Sequence, residues 1–551
     1  MQSVSRALRG TGNRLSRASS TRFVAHKHLY TTESATTTPT KKLTKWTVLK
    51  TSAKVSLVAG MTYGCYEMYV QRHPLVQAET DPEKKTIVIL GSGWASTSFL
   101  KDIDTDHYNV VVVSPRNYFL FTPLLPETTV GTIDVRSVIE PTRFIARHKS
   151  RSVKVIEAEC TQIDPENKVT HGLLGRYLWK ILDSLITTYL DNSDVKEEHA
   201  VSTLCYDYLI VGVGAMSATF GVKGVEEYGC FLKEVWDAQK IRTKLMNCIE
   251  TAAFPDQTPE EIDRLLHMVV VGGGPTGIEY AAELHDFLVD DLTSWYPELA
   301  GKVKITLIEA LPNVLPAFSK KLIDYTESTF KEQNISICTK TMVKEVHEKE
   351  IEVKRPDGTV DNIPYGLLVW ATGNTSRPLV RDLMQKFPET QQARRGLAVD
   401  EWLRLDGSED IYALGDATAT RYAPTAQVAA QQGKYLARLF KQLAVRENLE
   451  IELMNASDEE EVAKKERKLR KVKDVKPFQY SHQGSLCYIG SDKAVADLSL
   501  GPGGSLASGG VVTFAFWRSV YISSLFSTRN RALVITDWLK KTALGRDISR
   551  E

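Results

Sequence analysis

Two glycine-rich turns, each preceded by an apolar run, constrain the fold of this chain more than any other feature. The first turn is Gly91-Ser92-Gly93-Trp94-Ala95-Ser96, and the second is Gly272-Gly273-Gly274-Pro275-Thr276-Gly277. A buried strand that leads through such a turn into a helix places the positive end of that helix against a dinucleotide pyrophosphate. The sequence therefore predicts an α/β protein with two nested Rossmann-like dinucleotide-binding domains.

The first turn departs from the usual pattern in two places. Ser96 stands at the third small position, where it still permits close packing of helix and strand. The following strand ends in Ser114-Pro115-Arg116 instead of the acid that normally binds the adenosine ribose. A purely structural glycine turn therefore remains open as an alternative at this point.

Two later segments favour a cofactor at the first turn. Residues 208–214 read as a second buried strand ending in Gly214, and residues 411–417 read as a third that runs into Gly415-Asp416. A Gly-Asp pair at a strand end is suited to the ribityl and pyrophosphate groups of a flavin. Together with the first turn, these segments predict a non-covalently bound FAD.

The second turn has the full glycine pattern and is followed by an acid at the end of the next strand. The strand predicted for residues 303–308 is followed directly by Glu309. This acid is placed to accept hydrogen bonds from a ribose 2′-hydroxyl and to repel a 2′-phosphate. The acid lies further from the glycines than the usual spacing of about 20 residues. We attribute the excess to a longer helix and loop around residues 295–297, and a solvated surface glutamate is the alternative. NADH is therefore predicted over NADPH.

The order of these segments predicts the domain organisation. Residues 81–264 form the first part of the FAD domain, 265–368 the NADH domain and 369–445 the second FAD part. Thr372-Gly373 lies where the chain returns to the flavin and is assigned to the NADH site. Two nested dinucleotide sites imply that a nicotinamide is brought to one face of the flavin, and hydride transfer follows from that geometry.

Charge and cysteine usage exclude several function classes. The formal net charge of +1 gives no electrostatic footprint for nucleic acid. The seven cysteines contain no CxxC or Cys/His cluster, so neither a metal site nor a redox-active disulfide is predicted.

The N-terminal residues predict targeting. Residues 1–32 lack Asp and Glu but contain recurrent arginines, which is typical of a mitochondrial transit peptide within 1–45, with a basic tail as the alternative. Residues 46–80 contain an apolar segment whose charge-free part, 55–66, is short beside the roughly 20 residues of a membrane span. An inner-membrane anchor or sorting helix is predicted there, with a plain linker helix as the alternative.

The C-terminal region 446–551 combines apolar aromatic residues with cations. Residues 514–526 contain four aromatic side chains before Phe526. Basic residues follow at Arg529 and Arg531, and a second apolar stretch from Leu533 to Trp538 precedes Lys540, Lys541 and Arg546. An amphipathic basic helix of this kind lies in a membrane interface with its aromatic face in lipid. A hydrophobic dimer interface is the alternative, and the two can coexist.

Two inserts carry no ligand signature. Residues 173–190 predict an amphipathic packing helix in the FAD domain. Residues 458–476 predict a solvated charged helix.

At four places the sequence resembles type II NADH:ubiquinone oxidoreductases, most closely the fungal mitochondrial external form. These are Gly91–Ser96, residues 114–126, the second turn through Glu279, and Gly415-Asp416. The segment beginning Ser114-Pro115-Arg116 is the most specific piece, so the missing ribose acid is a trait of the family that it resembles. The resemblance implies oxidation of NADH and reduction of ubiquinone without proton pumping, at the inner membrane and facing the intermembrane space.

The predicted site residues follow from the motifs and from this resemblance. For FAD they are Gly91, Ser92, Gly93, Trp94, Ala95, Ser96, Ser114, Pro115, Arg116, Thr122, Pro123, Leu124, Gly214, Gly415 and Asp416. For NADH they are Gly272, Gly273, Gly274, Pro275, Thr276, Gly277, Glu279, Glu309, Thr372 and Gly373.

The resemblance places the quinone end of the flavin at residues 426–431. Gln427 and Gln431, four apart on one helix face, are the predicted quinone-binding residues, and Glu279 is a third catalytic candidate. Relatives usually carry His and Glu around this helix, whereas this chain has Ala430 and Gln432. Amides bind quinone carbonyls but do not deliver protons at neutral pH.

Rival functions share parts of this pattern. Sulfide:quinone oxidoreductases and disulfide reductases need cysteine pairs that this chain lacks. A mitochondrial interaction protein resembling apoptosis-inducing factor would keep both dinucleotide sites, so it remains the alternative. A reductase of a soluble electron carrier would not need the amphipathic C-terminus. The predicted partners are ubiquinone, inner-membrane lipid and a second copy of the chain.

Overall fold

The computed structural model describes residues 45–174, 201–456, 458–472, 475–499 and 505–549. The predicted transit peptide and most of the insert 173–190 lie outside these ranges. The chain divides into two compact units, one up to Tyr63 and the other from Gly64 onward, and the helix Lys45–Arg72 includes the division. None of the helices in the described ranges is both long enough and apolar enough to cross a bilayer.

The first Rossmann-like domain is built on a seven-stranded sheet. Its spatial order is Ile411–Ala413, Tyr208–Val211, Thr86–Leu90, Asn109–Ser114, Val153–Asp164, Val169–Leu174 and Val201–Cys205. Neighbours among the first five strands pair in parallel, and the last two join in antiparallel fashion. The central strands are buried, which is why their sequences are continuous apolar runs.

The second domain has a parallel sheet in the order Cys230–Phe231, Leu367–Trp370, His267–Val271, Lys304–Ile308 and Ile335–Cys338. An antiparallel sheet of Met342–Val346, Glu350–Lys354 and Val360–Pro364 accompanies it. Asn374–Ser376 pairs with Ala215–Ser217 where the chain passes between the domains. Because residues 411–413 return to the first sheet, the second domain is inserted into the first. The predicted fold of two nested Rossmann-like domains is confirmed.

Helices flank both sheets. Those of the first domain are Trp94–Asp102, Leu125–Thr129, Val135–Val138, Thr142–Ala146, Pro378–Gln385 and Ala426–Met454. Single 3₁₀ turns lie at Thr122–Leu124 and Gly415–Ala417. The short strands Tyr118–Leu120 and Ile139–Pro141 pair in antiparallel fashion. Those of the second are Val225–Tyr228, Val235–Ala252, Pro259–Leu265, Pro275–Phe287, Leu288–Leu292, Thr293–Trp295 and Lys320–Glu332. The charged insert forms the helix Glu459–Val472.

The C-terminal region begins as a sheet and ends as two helices. Its antiparallel strands are Ser485–Tyr488, Ala494–Ser499 and Ser505–Gly510, and its helices are Val511–Ser524 and Thr528–Leu544. The lipid-facing role predicted for the whole aromatic run is wrong for part of it. Phe514, Trp517 and Trp538 are buried, and the Tyr488 ring lies 5.0 Å from Phe514 and 5.7 Å from Trp517. The strand supplies an aromatic partner that local sequence does not reveal.

Candidate functional site

The first glycine turn is fixed by contacts that only glycine permits. Gly91 has φ +97°, and a Cβ there would lie 2.5 Å from the carbonyl oxygen of Gly212. The Ser96 hydroxyl is 3.3 Å from the carbonyl oxygens of both Leu90 and Gly212 and donates to them. Ser96 therefore joins the turn to the neighbouring strand, as the third small residue of the pattern should.

The ligand side of this turn is open. A Cβ on Gly93 or on Gly214 would meet no described atom within 4 Å. Two glycines with free space in front of them leave room for a pyrophosphate to approach the backbone. This arrangement fits a dinucleotide at the start of the helix Trp94–Asp102.

The unusual strand end has a structural role in the turn. Ser114 donates from its hydroxyl to the Ser92 hydroxyl at 3.0 Å, and Ser92 donates to the carbonyl of Tyr118 at 2.8 Å. Serine thus ties the strand end to the glycine turn, where related sites place an acid. Pro115 is exposed beside it.

Arg116 belongs to a charged cluster that sequence reasoning missed. Its guanidinium forms an ion pair with Glu234, whose carboxylate also lies 3.6 Å from Arg377. Arg377 in turn donates from Nε to the carbonyl of Val213 at 2.8 Å, next to Gly214. The only local signal in the sequence was Lys233-Glu234, directly before the helix Val235–Ala252. Such a pair usually indicates a solvent-exposed helix cap.

Asp416 lies in a partly enclosed position opposite a lysine. Burial raises the pKa of Asp416, and the ammonium of Lys233 opposes that rise. Burial also lowers the pKa of Lys233, whose Nζ donates to Asn374 Oδ1 at 2.5 Å. A carboxylate and an ammonium that are both withdrawn from water can bind the hydroxyl and carbonyl groups of a flavin.

Gly415 and Gln432 complete this side of the site. The Gly415 N–H donates to Gln432 Oε1 at 2.7 Å, whereas the buried Gln432 Nε2 has no hydrogen-bond partner in the described chain. A buried donor normally has an acceptor, so this orphaned amide fits an acceptor atom of a bound group. Together with the open glycines, it shows that the residues present fit FAD.

Trp94 links the first turn to the C-terminal region. Its indole donates to Thr122 Oγ1 at 3.0 Å, and its ring lies 5.9 Å from that of Phe526. Thr122 begins the turn that contains Pro123 and the fully buried Leu124. The predicted FAD residues of both segments are thus brought together, with a C-terminal aromatic packed on them.

The second turn has the same construction. Gly272 has φ +119°, and a Cβ on Gly277 would lie 1.9 Å from the Gly272 carbonyl oxygen. A Cβ on Gly274 would meet no described atom within 4 Å, so the ligand side is again open. Pro275 occupies the first turn of the helix that follows, where its missing N–H is not needed.

The structure places Glu309 at this turn. Glu309 Oε2 accepts from the Gly273 N–H at 2.5 Å, and Oε1 accepts from the Leu311 N–H at 2.7 Å. The extra length between glycines and acid is taken up by the helix Pro275–Phe287, its continuation to Trp295 and the loop before Lys304. A buried carboxylate at the glycine turn is positioned for ribose hydroxyls.

Thr372 and Gly373 lie against the same turn. A Cβ on Gly272 would lie 2.9 Å from Thr372 Cβ, and Gly373 has φ +79°. A Cβ on Gly373 would lie 2.5 Å from the exposed ring of Phe220. Phe220 is thus a neighbour of the predicted NADH residues that the sequence did not identify.

Gln427 and Gln431 share one face of the helix Ala426–Met454, as predicted. Their amides bind the segment before the C-terminal sheet: Gln427 donates to the Gly484 carbonyl at 2.8 Å, and Gln431 donates to the Ser481 carbonyl at 2.8 Å. Tyr480 donates from its hydroxyl to Gln427 Oε1 at 3.1 Å. Both glutamines therefore hold residues 480–484 in this structure, and their contact with quinone stays a prediction.

Glu279 is withdrawn from solvent. It is 6% exposed, and its Oε1 accepts from the Tyr488 N–H at 3.2 Å. Burial raises the pKa of Glu279 to about 8, although this N–H opposes the rise. A carboxyl group of this kind holds its proton at neutral pH.

The cysteines are free thiols, and Cys487 contacts the carbonyl oxygen of Pro275 at 3.9 Å. All seven lie in the described ranges and form no disulfide with one another. Burial raises the pKa of Cys230 and of Cys248, which disfavours their reactive thiolates.

Known proteins share this arrangement. The external alternative NADH-ubiquinone oxidoreductase of Yarrowia lipolytica is 52% identical over 531 residues, covering 93% of this chain and 88% of that protein. External NADH-ubiquinone oxidoreductase 2 of Saccharomyces cerevisiae is 46% identical over 518 residues, covering 92% and 91%. The structure of NDH2 from Plasmodium falciparum in complex with NADH is similar with a TM-score of 0.72 at 28% identity, covering 85% of this chain and all of that one.

Two dinucleotide cradles on nested sheets define a flavoprotein oxidoreductase of the pyridine-nucleotide class. The chain matches the family described as pyridine nucleotide-disulphide oxidoreductase over residues 85–433, and the NDH2 C-terminal domain over residues 482–547. It belongs to the type II NADH-ubiquinone oxidoreductases, the family that its sequence resembles.

Proposed function

We propose that this protein oxidises NADH and reduces ubiquinone through a non-covalently bound FAD, without pumping protons. The observation that carries the proposal is the pairing of two open glycine cradles in one chain, the second with Glu309 at the ribose position. Bound FAD would supply the redox group for hydride uptake from NADH and for two-electron reduction of the quinone. The relatives named above are NADH-ubiquinone oxidoreductases, so an interaction scaffold with the same fold is not favoured.

The side chains of this protein position the reactants. Gly274 and the helix after it receive the NADH pyrophosphate, and Glu309 accepts from a ribose hydroxyl. Asp416 and Lys233 hold polar groups of FAD. Gln427 and Gln431 lie at the quinone end. Binding and orientation account for most of this catalysis, because hydride transfer depends chiefly on geometry.

The activity is tested with the purified protein. A yellow protein that oxidises NADH with a short-chain ubiquinone, and oxidises NADPH much more slowly, is expected. A colourless protein that takes up no FAD, or a flavoprotein that reacts with NADH but not with quinone, would contradict the proposal.

Membrane docking is proposed for the exposed part of the C-terminal helices. Val512, Phe516 and Leu539 are 86%, 42% and 64% exposed, and the exposed Lys540, the next residue on the same helix, pairs with Asp537 at 3.8 Å. Apolar side chains next to a cation suit an anionic bilayer surface, where the ubiquinone pool lies. The same exposed surface can also join two copies of the chain, so a homodimer remains part of the proposal.

Point substitutions test docking better than truncation, because removing the helices would also remove the buried Trp517 and Trp538. The double variant Phe516→Ser, Leu539→Ser should lose most flotation with anionic vesicles and keep activity with short-chain quinone. Val360→Ser changes a valine that is 58% exposed on the strand Val360–Pro364 and is the control. Unchanged vesicle binding by the double variant would contradict the docking surface.

The names of the relatives, which are mitochondrial and in several cases external, support a proposal for the location. We place the protein on the inner membrane, facing the intermembrane space. Protease treatment of mitochondria with a ruptured outer membrane should digest it. Protection from protease would instead assign it to the matrix side.

A further inference from the structure

Three carboxyl groups meet beneath the C-terminal helices. Glu279 and Glu283 lie one turn apart on the helix Pro275–Phe287, and Glu127 approaches from the helix Leu125–Thr129. Their residues are 6%, 5% and 3% exposed, respectively. Glu127 lies three residues after Leu124, the last residue of the predicted flavin segment 122–124. The cluster therefore lies between that segment and the C-terminal region.

A small cavity adjoins two of these carboxyls. Its volume of about 10 Å³ matches one water molecule, and Glu127, Glu283 and Arg518 are among its lining residues. Glu127 Oε2 accepts from the Trp538 indole at 2.7 Å, but the buried Oε1 has no hydrogen-bond partner within the described ranges. The same is true of Arg518 Nε. An orphaned donor and an orphaned acceptor on one polar cavity indicate a bridging water.

The other side of the cluster reaches the surface. Thr132 donates from its hydroxyl to Glu283 Oε2 at 2.8 Å and receives a hydrogen bond from Arg546 Nε at 2.9 Å. Arg546 continues to Asp291 at 2.6 Å and to the half-exposed Asp290 at 3.3 Å. Burial lowers the pKa of Arg546, but Glu283 and Asp291 raise it by more, so the guanidinium keeps its proton and these contacts hold the Glu283 carboxyl in place.

We infer that Glu283, Glu127 and the cavity water form a proton relay that resupplies Glu279 during quinone reduction. The inference rests on the proposed function. NADH provides two electrons and one proton, so each quinone reduced to quinol needs one further proton from the medium. Glu279 gives up its carboxyl proton toward the quinone. Glu283, one helix turn away, replaces that proton, and Glu127 exchanges protons with Glu283 through the cavity water. Solvent resupplies the cavity beside Asp492, an exposed residue that lines it.

The electrostatics favour proton storage at this place. Burial raises the pKa of Glu283 to about 7 although Arg546 opposes the rise, and burial with the nearby Glu283 raises the pKa of Glu127. The charged and titratable groups facing the cluster are Asp286, Asp290, Asp291, Cys487, Tyr488, Asp492, Arg518, Tyr521, Lys541 and Arg546. The acidic groups among them favour the protonated forms of the three glutamates, and the cationic groups oppose this preference.

The test compares Glu283→Gln and Glu127→Gln with Glu298→Gln, which changes an exposed glutamate outside both sites. Each relay variant should lower kcat with quinone about tenfold near pH 8 and raise the solvent deuterium isotope effect, with KM for NADH unchanged. Single-turnover oxidation of NADH, which needs no proton from the medium, should match wild type. A structural role would instead change all three readouts together.

Infrared spectroscopy gives an independent readout of the same groups. Wild-type protein at neutral pH should show a protonated carboxyl C=O band that shifts in D2O and weakens in each relay variant. Absence of that band, or wild-type pH and isotope profiles in both variants, would overturn the relay. Wild-type protein that reduces no quinone at all would overturn the proposed function and the relay with it, so the two failures are distinguishable.

Discussion

The side-chain oxygen of Gln432 accepts a hydrogen bond of 2.7 Å from the backbone N–H of Gly415. Gln432 is fully buried in the helix Ala426–Met454, and Gly415 stands at the end of a strand of the first sheet with φ +70°. One glutamine thus fixes the Gly-Asp turn and presents its free amide to the flavin side. The sequence marked Gln432 only as a departure from a family pattern.

Replacing this glutamine should weaken both the fold and the cofactor site. Gln432→Leu keeps the volume but leaves the Gly415 N–H buried without an acceptor, which destabilises by about 1–3 kcal/mol. We expect a lower midpoint of thermal unfolding and a several-fold weaker retention of FAD on gel filtration. Gln392→Leu, at an exposed position, is the control. Full flavin content in Gln432→Leu would contradict this role.

Removing the charge of Glu309 should relax the selectivity between NADH and NADPH. The Glu309 carboxylate lies at the glycine turn, where it repels the 2′-phosphate of NADPH. Placing two like charges next to each other costs several kcal/mol of binding free energy. Glu309→Gln should therefore raise the NADPH/NADH ratio of kcat/KM by about tenfold or more. The exposed Glu348→Gln is the matched control. An unchanged ratio would show that Glu309 does not discriminate between NADH and NADPH.

The glycine turns could be predicted from the sequence because their determinants are local. A buried run, a positive φ and a small residue one turn later all fall within about ten residues, and Gly91 and Gly277 show the close approaches that this pattern demands. The extra length before Glu309 was also predictable, because inserted residues lengthen a helix or loop without moving the strand end.

Long-range packing could not be predicted in the same way. An apolar helical face indicates that something covers it, but lipid and the protein core satisfy that requirement equally, so Trp517 and Trp538 were assigned to the wrong environment. Glutamates on a helix usually indicate a solvated face, and the burial of Glu283 depends on residues more than 200 positions away. The one signal in the sequence for this burial was the position of Glu279 and Glu283, one helix turn apart, shortly after the buried Gly277.

Alanine substitutions at Gly93 and Gly91 should distinguish the loss of space for a ligand from the cost of backbone strain. Gly93→Ala points its methyl into open space, so the unfolding free energy of the apoprotein should change by less than about 1 kcal/mol while FAD affinity falls at least tenfold. Gly91→Ala forces an unfavourable φ and a contact with Gly212, and should destabilise by about 2 kcal/mol or more. Denaturant unfolding and flavin titration measure the two effects. Equal loss of stability in both variants would show that the space at Gly93 is not a ligand cradle.

The buried carboxyl of Glu279 predicts a stability that declines as pH rises. Its pKa is about 8 in the folded protein and near its ordinary value of 4.5 in the unfolded chain. Between those values the folded state binds a proton that the unfolded state has released, so stability is greatest below pH 4.5 for this group and is lost as pH rises through about 8. At 1.36 kcal/mol per pKa unit the loss is about 5 kcal/mol.

Urea unfolding between pH 5 and 9 measures this decline. The wild-type free energy of unfolding should fall more steeply than that of Glu279→Gln, because the amide has no proton to release. Glu298→Gln changes an exposed glutamate and should retain the wild-type slope. Parallel slopes for wild type and Glu279→Gln would mean that the Glu279 carboxyl is hydrated in solution. In that case it holds no proton at neutral pH, and it could not donate one to a quinone.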